Sequence, residues 1–167
     1  MARATTPFSG LTVLDFSRYL PGGYATQVLA DLGATVIKCE DTGAGDFMRH
    51  DYPTMGNGIS YYITALGRNK KSVSLNLKDQ EVVDWFLKMA KEADVIVESF
   101  RPGVTKKLGI DYETVNKINP GIIYCSISGY GAEDPRSKKA QHDLNMQATS
   151  GYLSVNHGGT SPLHLCD

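Results

Sequence analysis

Leu11-Thr-Val-Leu-Asp-Phe16, Ser17-Arg-Tyr-Leu-Pro-Gly-Gly23 and Ala34-Thr-Val-Ile-Lys-Cys39, with an apolar-striped segment between the second and third, decide the fold. The first run is rich in branched and aromatic residues and has the length of a buried strand. Pro21 and the Gly22-Gly23 pair break it. Tyr24, Val28 and Leu32 then recur every fourth residue, with Ala25 and Leu29 beside them, which predicts a helix with one buried stripe. Gly33 stands where a left-handed residue ends a helix, and the third run is a second strand. Strand, helix and strand this close together form a right-handed parallel βαβ unit. Its first turn then lies at the carboxyl edge of a sheet, where open α/β sheets bind ligands. The two glycines permit close backbone approach and the helix N-terminus favours an anion. A tight turn in an ordinary α/β domain accounts for the same residues, since no Gly-x-Gly-x-x-Gly is present.

The whole chain, 167 residues long, fits one domain with a real core, residues 1–167, and offers no internal repeat or low-complexity tract. With 41% hydrophobic and 21% charged residues and a net charge of −1, it reads as soluble, with no nucleic-acid-binding surface and no polybasic membrane patch. No run has the length and apolarity of a signal peptide or a membrane span. Cys39, Cys125 and Cys166 are too widely spaced for a disulfide framework or a metal site, so a reducing cytoplasm is expected and no metal is. Cys39 and Cys125 lie in strand runs and are expected to be buried, inert thiols.

A second unit follows a long connection. Asp41 to Tyr61 has no clean period, and Phe47, Met48, Tyr52 and Met55 suggest a loop that packs. Arg49 and His50 are candidates to meet an anion, or simply solvated loop residues. Ser72 to Leu77 alternates like a half-buried strand beside the Arg68, Lys70, Lys71 cluster, which is either solvated surface or a phosphate contact. Asp79 caps a helix whose face is Val82, Val83, Phe86, Leu87 and Ala90. Asp94 to Glu98 is a strand, and Pro102-Gly103 turns the chain into a short helix, Val104 to Leu108. Asp111 caps the next helix, Tyr112 to Ile118, and Ile122 to Ile127 is the most strand-like run of all. It opens into Ser128-Gly-Tyr-Gly131, a turn suited to a pocket wall. Gln141 to Gly151 reads as a helix with His142 and Asp143 in its first turn. The helix dipole favours the carboxylate there and pushes a histidine toward its neutral, basic form, although capping accounts for either residue. The last apolar run, up to Asp167, reads as a cut and not a finish.

Taken in order, six pieces resemble the N-terminal part of the class III coenzyme A transferase family, which also includes α-methylacyl-CoA racemase. They are Gly10-Leu-Thr-Val-Leu-Asp-Phe16, Leu29-Ala-Asp-Leu-Gly-Ala-Thr-Val-Ile-Lys38, Gly67-Arg-Asn-Lys-Lys-Ser72, Val97-Glu-Ser-Phe-Arg-Pro-Gly103, Ser126-Ile-Ser-Gly-Tyr-Gly131 and His142-Asp143. The resemblance implies a Rossmann-like α/β parallel sheet with flanking helices, the incomplete large domain of a family that forms interlocked homodimers. The rest of that domain and a small domain would be absent.

It also implies roles. Asp167 matches the aspartate that forms a mixed anhydride with the donor acyl group and then a thioester with CoA, before CoA passes to a carboxylic acid. Covalent catalysis by a carboxylate splits one hard transfer into easier exchanges. For the CoA, the resemblance points to Tyr19 and Leu20, to the Arg68–Leu75 segment, to Phe100, Arg101 and Lys107, and to Asp143 and Asn145. Many members carry arginine where this chain has Asp41, so another cation, Lys38 or Arg68, is expected to compensate. His142 opens an alternative: a racemase in which His142 and Asp167 exchange the α-proton of an acyl-CoA from opposite faces. The Gly43–Arg49 and Tyr61–Asn69 segments resemble the transferases more closely. A third alternative is an inactive CoA-binding fragment.

Overall fold

The computed structural model describes residues 6–155. Five strands form one wholly parallel sheet: β1 (Thr12–Phe16), β2 (Thr35–Glu40), β3 (Lys70–Ser74), β4 (Val95–Glu98) and β5 (Ile123–Ser126), in the order β3-β2-β1-β4-β5. Thr12 pairs with Thr35 and Val13 with Val95, so the first two units share a register. The strand order reverses between β1 and β4. In a doubly wound sheet the crevice beyond the carboxyl ends of those two strands is the ligand-binding place.

The helices are α1 (Tyr19–Asp31), α2 (Tyr61–Leu66), α3 (Gln80–Glu92), α4 (Val104–Leu108), α5 (Tyr112–Ile118), α6 (Asp143–Thr149) and α7 (Tyr152–Val155), with a 3-10 turn at Phe47–Arg49. The expected caps are present: the Glu81 amide donates to Asp79 at 3.0 Å, and that of Thr114 donates to Asp111 at 2.9 Å. Gly33 ends α1 with a φ of 103°, as its position predicts. β3 begins two residues before the expected strand, and its continuation is a bond from the Leu75 amide to the Glu40 carbonyl.

On one side of the sheet, α3 and α5 cover an apolar core of Leu14, Phe16, Phe86, Ile96, Ile110 and Val115. Val83, Phe86 and Ala90 of the predicted stripe are buried, and the Phe16 and Phe86 rings meet edge-on at 5.0 Å.

The helix on the other side, α1, departs from the expectation. Tyr24, Val28 and Leu32 are exposed, Tyr24 by 59%, and the buried residues are Gly22, Gly23, Thr26, Gln27 and Ala30. The cause lies in the sheet below. Only small and polar side chains fit over the buried Asp15, Lys38 and Lys70, and the Thr26 hydroxyl donates to Asp15 at 2.6 Å. Cys125 also departs from the reading: it is exposed, because β5 is the outer strand of the described sheet, whereas Cys39 is buried and its thiol is pushed up to about 12, first by burial. Cys166 lies outside the described residues.

Candidate functional site

Two turns leave the carboxyl edge at the switch point, one after β1 and one after β4, and a hydrogen bond joins them: the Arg18 amide donates to Ser99 Oγ at 2.8 Å. The first turn is held from below. Asp15 accepts from the Ser17 amide (2.9 Å), the Ser17 hydroxyl (2.5 Å), Thr26 and Lys70 Nζ (3.2 Å), and it is fully buried. Lys38 donates to the Ser17 carbonyl and pairs with Asp46 at 2.8 Å. Burial lowers the Lys70 pKa against the pull of Asp15. A Cβ on Gly22 would come within 2.1 Å of Ser17 Cβ, so the turn closes only on glycine there. Tyr19 itself takes a φ of 60°, a left-handed conformation that costs a tyrosine energy and persists where its surroundings fix it.

The connection from β2 folds over this turn. The Glu40 carboxylate accepts from Arg49 Nε (2.6 Å) and Nη2 (2.5 Å), from Ser72 and from the Asp46 amide. Burial works against that charge, but these bonds outweigh it and hold the carboxyl at about 2. Arg49 is therefore a structural partner of Glu40, and His50 bonds the Ala44 carbonyl at 3.1 Å. As expected of a packing loop, Met48 is buried, while Tyr52 is exposed. Phe47 stacks on Tyr19 at 5.7 Å. The Arg18 guanidinium lies 5.2 Å from the Phe47 ring and 5.9 Å from that of Phe100, within cation–π range, and its Nη2 bonds Asp41 at 2.9 Å.

Beneath this arrangement is a cavity of about 160 Å³ whose lining includes Phe16, Arg18, Asp41, Leu75, Lys78 and Phe100. Of the residues singled out from sequence, Leu75 and Phe100 line it, together with Lys38 and Asp41. Tyr19 brings His142 to the same edge, their rings meeting at 6.3 Å, with Leu20 half-buried in the next position. His142 is the N-cap of α6, and its amide donates to Asn145 Oδ1 at 3.4 Å. Asp143 is buried and accepts from Gln147 at 2.7 Å. Arg101 and Lys107 are exposed on the β4 side, outside the cavity lining. Arg68 lies before the start of β3 and bonds Asp31, with a shortest distance of 2.6 Å, outside the cavity lining, whereas Lys38 belongs to that lining and is paired there with Asp46. Asp167 lies outside the described residues.

Sequence reasoning missed Arg18, Asn76, Leu77 and Lys78, all of which line the cavity. The carboxyl-edge rule that marked Gly22 points to Arg18 and Lys78, which follow strands read from the sequence, whereas Asn76 and Leu77 fall inside the expected strand and leave it only because β3 ends at Ser74.

A doubly wound parallel sheet, with a cavity of aromatic and cationic side chains at its switch point, is the architecture of α/β proteins that bind nucleotide-type ligands. The chain belongs to CoA-transferase family III, whose model matches residues 8–165. It is 41% identical to acetyl-CoA:oxalate CoA-transferase of Acetobacter aceti, over 99% of this chain and 44% of that protein. It is 44% identical to succinyl-CoA:glutarate CoA-transferase of Mus musculus, over 89% of this chain and 34% of that protein. Among solved structures, a CAIB/BAIF family protein from Brucella suis superposes with a TM-score of 0.88 at 34% identity, covering 96% of this chain and 44% of that one. The chain thus spans less than half the length of these relatives. Among the described residues no helix is long and apolar enough to cross a membrane.

Proposed function

We propose that this chain is the CoA-binding N-terminal part of a transferase that moves CoA from an acyl-CoA to a carboxylic acid. The observation that carries this is the cavity at the carboxyl edge, whose lining includes the cations Arg18 and Lys78 and the ring of Phe100, with the Arg18 guanidinium held against the rings of Phe47 and Phe100. Cations there would meet phosphate oxygens through charge-assisted hydrogen bonds, and the rings suit a planar base. The relatives named above act on oxalate and glutarate, which makes a short dicarboxylic acid the proposed acceptor class. The interlocked homodimer, the role of Arg101 and Lys107 at the rim and a cytoplasmic location belong to the same proposal.

In the proposed chemistry, the Asp167 carboxylate attacks the thioester carbonyl of the donor and expels CoA as thiolate, leaving a mixed anhydride. The thiolate then attacks the aspartyl carbonyl, releasing the donor acid and forming an aspartyl–CoA thioester. The acceptor carboxylate attacks that thioester, and the thiolate expelled takes the acyl group from the new anhydride, freeing Asp167. Tyr19, held at the carboxyl edge against Phe47 and His142, would position the thioester end.

The test is hydroxylamine trapping of an acyl or CoA adduct together with Asp167→Ala in the full protein. CoA exchange should be abolished with CoA binding retained, and persistent exchange would refute the nucleophile. Deuterium wash-in at the α-carbon of a 2-methylacyl-CoA, without acceptor acid, would support the racemase alternative.

A further inference from the structure

Asp41 and Arg18 form an ion pair at the rim of the cavity, 2.9 Å long, with 41% and 35% of the respective side chains exposed. Both ends are fixed in advance. The other Asp41 oxygen accepts from the Gly43 amide at 2.8 Å and the Gly45 amide at 3.4 Å, so the loop that follows β2 aims the carboxylate. Arg18 is anchored by its amide to Ser99 and by its guanidinium between Phe47 and Phe100. A guanidinium carries five N–H donors in a fork that matches carboxylate and phosphate alike. Asp41 engages Nη2, leaving the other donors without an acceptor among the described residues. The carboxylate therefore sits where a phosphate oxygen of a ligand in this cavity would sit, on a cation already placed to receive one.

We propose that Asp41 is a built-in competitor for the anionic end of the ligand: it holds Arg18 in the free protein and is displaced when a phosphate of an acyl-CoA arrives. This rests on the CoA-binding function proposed above. Arg18 is then the cation that answers for the acidic residue after β2, and the exchange of one anion for another limits affinity and favours product release.

The test is calorimetric titration of the protein with CoA, and with adenosine 3′,5′-bisphosphate as a probe lacking the pantetheine arm. Asp41→Asn keeps the oxygen that the glycine amides need and removes the charge. It should bind both ligands about tenfold more tightly, the scale of one charge-assisted hydrogen bond. Asp41→Ser, with a shorter acceptor, should show the same sign. Arg18→Gln should weaken binding, and in its background Asp41→Asn should have no further effect. If the wild type binds CoA and Asp41→Asn does not bind it more tightly, or if tightening persists without Arg18, this inference fails while the CoA-binding function stands. If no form binds CoA, both fail.

Discussion

The two faces of one sheet are built from opposite materials. Toward α3 and α5 the strands contribute Leu14, Phe16, Cys39 and Ile96, an apolar surface from end to end. Toward α1 the same strands contribute Val13, Val36 and Val95, and then, at the carboxyl half, Asp15, Lys38 and Glu40. The first face is held by dispersion and removal of apolar area from water. The second exchanges that for a buried ion cluster, which is poor evidence of stability because desolvation offsets attraction. Its geometric consequence is clear. The cluster fixes the Ser17 carbonyl, the Ser17 amide and Asp46, and through them the turn that presents Arg18 and Tyr19.

The sharpest way to break this comparison is to remove one member of the cluster. Asp15→Ala strips acceptors from Ser17 and Thr26 and leaves two buried lysines facing one carboxylate, Asp46. It should cost about 5 kcal/mol, at the upper end for a broken buried pair, measured by urea unfolding. Phe86→Ala, on the apolar face, opens a cavity under a ring with no exposed surface and should cost about 4 kcal/mol. A smaller loss from Asp15→Ala than from Phe86→Ala would contradict the picture of a network in which every member depends on that carboxylate. Lys70→Met should cost about 3 kcal/mol, the lower end for a broken buried pair, because Ser17, Thr26 and, at 4.0 Å, Lys38 still engage the carboxylate it leaves. Asp15→Leu combined with Lys70→Met should cost less than the sum of the two single changes.

The apolar face was legible in the sequence, and the charged one was not. Val82, Val83, Phe86, Leu87 and Ala90 declare their helix and its buried side by spacing alone, and Asp79 and Asp111 mark where helices begin. The same rule misread α1, since Tyr24, Val28 and Leu32 form an equally regular stripe that faces outward. Helical period shows which residues share a face, while burial depends on what lies opposite. Here that is Asp15, reached by Lys70 from 55 positions away, a pairing that no local pattern encodes. The cavity at the carboxyl edge was legible in part, as at Phe100, which follows a strand end read from the sequence. It was missed at Arg18 and Lys78, whose lone positive charges look like ordinary surface.

Acid unfolding separates the faces by the smallest of the expected effects. Glu40 ordinarily titrates at 4.5 and is held at about 2 in the fold, so the folded state binds its proton less readily than the unfolded chain. Its contribution to stability is fully present above pH 4.5 and is lost as the pH falls through the window down to about 2. Asp31 and Asp134 are also held at about 2, first by bonds from Arg68 and Arg136, and would contribute in the same direction. Those two pairs lie at the surface, where salt screens them. The Glu40 side chain is only 3% exposed beside Arg49. Thermal midpoints recorded across this window in high salt should therefore retain a slope that Glu40→Gln removes, whereas Asp31→Asn should leave it unchanged. A slope that high salt abolishes would mean that the charged face stabilises the fold no differently from its exposed surface.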